Sequence, residues 1–163
     1  MTPSYMWIAG VIAAHSNGQL FGRTRLQKTI KLLQRIGLPT DYDFPVYFHG
    51  PHSENLQADI KLLEQLGLVT EMSRATAEGN RHCVFQAISS AELPDTHLFR
   101  NAIECLQRAD VLTLEMAATY TSLRELGIGA DKALEKVRQK KGSKCSADVQ
   151  AAALALITEL GIE

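Results

Sequence analysis

Two groups of residues in this 163-residue chain could do chemistry. The first is a histidine pair: His49 and His52 stand three apart around Gly50 and Pro51, with Ser53 following. Metal sites use that spacing, but a Gly-Pro turn separates the two imidazoles and two more ligands would have to come from elsewhere. Asp41, Asp43 and His82 are available, and nothing in their spacing selects them. The simpler reading is a structural joint. His49 ends an extended segment, Gly50 permits a backbone conformation that other residues resist, Pro51 stiffens the turn, and His52-Ser53 opens a helix. No metal and no cofactor is expected.

The second group is cationic. Arg23, Arg25, Lys28, Lys31 and Arg35 fall in one acid-free stretch, and Lys136, Arg138, Lys140, Lys141 and Lys144 fall in another. These stretches hold ten of the 17 Lys and Arg and none of the 18 Asp and Glu, so a net charge of −1 hides a strong segregation. Basic islands on an acidic body suit a polyanionic partner. Lys28, Lys31 and Arg35 recur at helical spacing, which predicts a stripe away from much of the Leu26/Ile30/Leu33 face. Cations at a helix N-terminus are disfavoured by the dipole, so a compensating partner is expected. Acids of the next helix, a second protomer or a nucleic-acid backbone would each serve. The second island exceeds what a helix C-terminus requires and suggests a phosphate-contacting or protein-docking loop.

Other chemistries find little support. A Gly-x-Ser-x-Gly elbow is absent, and "GIGADK" (127–132) lacks the second half of a P-loop. Cys83, Cys105 and Cys145 are odd in number and widely spaced, which excludes a disulfide framework and a cysteine zinc site. His82 and Cys83 are neighbours in a predicted strand and should point to opposite faces. A non-enzymatic protein is expected. No apolar run reaches the roughly 20 residues of a membrane span, and no secretory signal pattern is recognisable, so the expected location is the cytoplasm.

The elements that must position these residues follow from periodicity. "SYMWIAGVIAAH" (4–15) predicts a buried first helix with Ser4 as its cap. A turn with a short extended piece (16–22) leads to a second helix, "RTRLQKTIKLLQRIG", stopped by Gly37. Pro45 to Phe48 reads as extended and half-buried. Ser53 caps a third helix with Leu56, Ile60 and Leu63 inward, ending at Gly67. "LVTEMS" and "RHCVFQAI" predict a hairpin turning at Gly79. After the connector "SSAELPD", helices are predicted over 96–108, 111–126, 130–140 and 147–160.

The expected fold class is therefore mainly α (α+β). Residues 1–90 form a winged helix-turn-helix-like unit with a small β-hairpin. Residues 91–163 form a C-terminal helical bundle packed on it, as a second unit or as part of one compact domain.

"GRTRLQKTIKLLQRIG", an apolar-aromatic segment, "HGPHSENLQADIKLLEQLGLV" and the helical tail together resemble the YwgA-like bacterial proteins. A more distant similarity is to the SocA-like antitoxin domain called Panacea, which shares the Leu-Gln-Lys helix and a Gly-Pro joint. The first resemblance implies winged-helix-like features; the second implies an antitoxin role. Neither implies catalytic residues.

The helix before the hairpin, which reads DNA in the usual winged helix, carries Glu54, Asp59 and Glu64 against Lys61. A DNA-binding regulator, expected as a homodimer, would then grip duplex DNA through the two basic islands. The alternative is a protein-interaction module, an antitoxin or defence-system accessory, docking an acidic protein partner.

Overall fold

In the computed structural model, which describes residues 1–47, 50–88 and 92–162, the elements follow the predicted order closely. The first half runs α1 (Ser4–Ala14), β1 (Gln19–Phe21), α2 (Arg23–Arg35), β2 (Val46–Tyr47), β3 (Gly50–Pro51) and α3 (Glu54–Gln65). The hairpin strands β4 (Val69–Ala75) and β5 (Arg81–Ala87) come next. Four helices complete the described residues: α4 (Arg100–Arg108), α5 (Val111–Glu125), α6 (Ala130–Lys141) and α7 (Ala147–Glu159).

The hairpin is not left with two strands. β1 pairs antiparallel with β5, giving a sheet in the order β1-β5-β4. Three helices and a hairpin, with a strand from the first loop added to its edge, make the winged helix-turn-helix-like unit that the sequence predicts. The register sets His82 opposite Arg74 and Cys83 opposite Ser73, so these neighbours do face opposite sides of the sheet.

Local chemistry explains most boundaries. The Ser53, Asp110 and Ser146 side chains accept bonds from Leu56 N, Thr113 N and Val149 N, capping α3, α5 and α7. Gly67 takes a left-handed conformation (φ 73°) after α3, and Leu68 N reaches back to Leu63 O. Ser4 departs from expectation. Pro3 occupies the cap position of α1, and the Ser4 hydroxyl donates instead to Asp41 at 2.8 Å. The extended segment before the joint is less buried than expected. Among its described residues Val46 and Tyr47 form strand, Pro45 and Tyr47 are exposed, and the buried aromatics just before it are Tyr42 and Phe44. Phe48 and His49 lie outside the described residues.

α2 is the centre of the molecule. It packs against β1, β3, α4 and α5. Thr29, Ile30, Leu32 and Leu33 are wholly buried, and so, nearly, are Lys28 and Lys31 at 2% and 7% exposure. The expected solvated stripe is therefore corrected at Lys28 and Lys31, which the fold covers, while Arg35 stays exposed. Ala117, Ala118 and Thr121 of α5 are small and buried, which lets that helix approach closely while the lysine stems pack as apolar chain. One hydrophobic cluster runs from Ile8, Ile30 and Leu63 through Leu114 and Ala118 to Leu156.

A shared core predicts shared melting. Leu114→Ala in α5 should cost about 2–5 kcal/mol. Fluorescence of Trp7, the single tryptophan, reports on α1. Its midpoint should fall together with the far-UV circular dichroism midpoint; separate transitions would show two independent units.

Candidate functional site

The joint at residues 50–53 is held by two successive residues of α2. Gln27 makes a reciprocal pair with Ser53: its amide nitrogen donates to Ser53 O at 2.9 Å, and Ser53 N donates to its amide oxygen at 2.8 Å. Lys28 Nζ donates to Pro51 O at 2.6 Å. Side chains of α2 thus add bonds to the turn's backbone, giving Ser53 N and Pro51 O their partners and Ser53 O a second one beside Gln57 N. Gly50 sits at φ 94° with its α-carbon against α5, where an added Cβ would stand 2.7 Å from Thr119 Oγ1. Both the conformation and the space require glycine there. His52 N donates to Pro45 O, and its ring meets Tyr47 edge-on at 6.1 Å.

The cations of α2 are committed inside the chain. Arg23 donates twice to one oxygen of Glu71 on β4, at 2.6 and 2.9 Å. Arg25 donates to Leu106 O and Ala109 O, closing the C-terminal end of α4. Lys31 Nζ lies 2.9 Å from both oxygens of Glu125, and Arg35 Nε is 3.7 Å from the same carboxylate. The compensating partner comes from β4 and α5 of the same chain.

The second island divides. Lys141 is buried and bonded to the buried Glu115 at 2.5 Å. Arg138 donates to Gln150 at 2.8 Å on α7. Lys136 and Lys144 are exposed and Lys140 is half-buried; among the described residues none of the three has an ion pair. Burial first, then the neighbouring Lys141, pulls the Lys140 pKa down. Lys132, exposed and also without an ion pair, stands four residues before Lys136. Sequence reasoning missed it because Asp131 and Glu135 interrupt the acid-free stretch.

Glu115 was missed as well. A buried acid flanked by apolar and small residues is the usual mark of an internal charge partner. Here it faces two buried ammonium groups, since Lys28 also feels its charge. Burial, only partly offset by Glu115 and reinforced by repulsion from Lys141, pushes the Lys28 pKa down to about 8.

Beside the joint lies a cleft of about 410 Å³ between α2, α3 and the sheet. Leu26, Ile60 and Phe85 supply apolar lining, Lys28 and Gly50 form part of its wall, and Arg23, Glu54, His52, Gln57 and Lys61 also line it. Among the described residues, no cluster of three or more His, Cys, Asp or Glu side chains is placed to hold a metal. Compared with known proteins, the chain matches no family, no curated protein and no solved structure.

Two predictions test the joint. Gly50→Ala should destabilise by more than about 1 kcal/mol, and Thr119→Ala should restore only the steric part of that loss, as read in urea unfolding. Lys28 gives a pH signature. The unfolded chain keeps its proton up to about pH 10.5 while the folded chain releases it near 8. Between those values the unfolded state binds more protons, so Lys28 makes stability rise with pH. Relative to wild type, Lys28→Met should lose that rise in unfolding measured at pH 7.5 and pH 10.

Proposed function

We propose that this protein is a non-enzymatic regulator that holds the backbone of duplex DNA on the outer face of α6, acting in the cytoplasm. The observation that carries this reading is the set of cations left over after internal pairing. Lys132, Lys136 and Lys140 recur every fourth residue, about 6 Å apart along the helix, and Lys144 follows in the turn at 142–144. None of these four is in an ion pair among the described residues. Two acids, Asp131 and Glu135, share the helix with them. The α2 cations, being spent on Glu71, Glu125 and the end of α4, are not part of this surface.

Such contacts position a duplex without reading its sequence. α3, which stands where a winged helix places its reading helix, exposes Glu54 and Glu64 beside Lys61. That acidic surface favours a second reading, in which the same lysines dock an acidic protein. The likeness to YwgA-like proteins in the α2 and joint motifs and the helical tail, and to Panacea in the Leu-Gln-Lys helix and Gly-Pro joint, supports a regulatory or antitoxin setting. Homodimerisation, which would double the lysine face, belongs to the same proposal.

The test compares a duplex oligonucleotide with polyglutamate. Neutralising four phosphates predicts that log affinity falls against log salt with a slope of about −3.6. The combined Lys132→Gln, Lys136→Gln, Lys140→Gln and Lys144→Gln variant should abolish duplex binding, while Arg23→Gln should leave the slope unchanged. Polyglutamate binding without duplex binding would establish the second reading; binding of neither at low salt would dismiss both. Light scattering of the same samples reports the dimer.

A further inference from the structure

The wall between the cleft and the molecule's interior carries more positive than negative charge. Lys28 and Lys141 are both buried, and the carboxylate acting on Lys28 from within the fold is Glu115, which Lys141 already holds at 2.5 Å. Lys28 has no carboxylate of its own within ion-pair distance among the described residues. Among the described residues its one hydrogen bond, to Pro51 O, uses one of three ammonium donors. Buried charges are ordinarily paired, so an ammonium group supplied with one carbonyl and a shared acid is under-compensated.

Lys28 is also one of the residues lining a cleft of about 410 Å³, large enough for a small molecule. Leu26, Ile60 and Phe85, each 5% exposed or less, provide an apolar bed beside it. The other charges around the cleft are near balance. Arg23 is paired with Glu71, and one further cation, Lys61, and one further acid, Glu54, line the cleft. The unmet demand therefore sits at Lys28.

We propose that the cleft between α2, α3 and the sheet is a binding site for an apolar carboxylic acid, its carboxylate received by Lys28 and its body lying on Leu26, Ile60 and Phe85. The acid is either a free organic acid or the carboxyl end of a peptide, and both present the same chemistry. Binding compensates the buried ammonium group and tightens the joint that Lys28 holds, which couples the ligand to the seating of α3. The site is separate from the α6 lysines and does not depend on their role.

The full-length chain, labelled with ¹⁵N, is titrated with octanoate and octanamide, and with N-acetylphenylalanine and its amide. The expected result is that at least one acid shifts the backbone amides of Gly50, Gln57, Ile60 and Phe85, at least tenfold more tightly than its amide counterpart. Preference for octanoate points to a free acid, and preference for N-acetylphenylalanine points to a peptide end. Lys28→Met should erase the preference for acid over amide. Gln57→Trp, which fills the exposed rim and leaves Lys28 in place, should block binding without lowering the melting temperature. Acid and amide binding equally well, or no shift of these amides at millimolar ligand, would overturn the proposal.

Discussion

The contact on which the rest of the structure depends is the grip of Gln27 and Lys28 on the turn at 50–53. Gln27 closes two hydrogen bonds with Ser53, and Lys28 holds Pro51 O. Ser53 in turn caps α3. The orientation of α3 against α2, and hence the shape of the cleft between them, follows from this side-chain–backbone clamp. Ser53 N and Pro51 O find their partners in these side chains, and burying such groups unsatisfied would cost about 1–3 kcal/mol each. The α2 side chains remove that cost.

A second constraint follows from the first. Placing a lysine where it can reach Pro51 O buries an ammonium group between α2 and α5. α5 answers with Glu115, and the end of α6 brings Lys141 to the same acid. The C-terminal helices are thereby tied to the winged unit by charge as well as by the core around Leu114 and Ala118. Lys31 with Glu125, and Arg25 with the end of α4, repeat the arrangement along the length of α2. Basic residues that look like an external binding face hold the two halves together.

Much of the fold was legible in the residue pattern. The apolar periodicity of α1, α2 and α3, the hairpin pivot at Gly79 and the caps at Ser53 and Gly67 are local signals, each expressed within a few residues. Less could be read of the site. Gln27 and Ser53 are 26 residues apart, and Lys31 and Glu125 are 94 apart. Nothing in the spacing along the chain says that they meet. The misread stripe on α2 shows the difficulty plainly: Lys28, Lys31 and Arg35 have the spacing of a solvated face, and helical periodicity cannot tell water from a covering helix when lysine stems pack well against either.

By itself, then, the sequence determined the elements, their order, the winged arrangement and the segregation of charge, because hydrophobic spacing and capping act over one or two turns. Only the tertiary structure decided which cations are internal and which are left on α6, and that Gly50 is fixed by Thr119 as well as by its turn. It also decided that Lys28 lies at the wall of a cleft with only a shared acid to balance it. Those outcomes depend on which helix covers which face, and that is set by packing between residues remote along the chain.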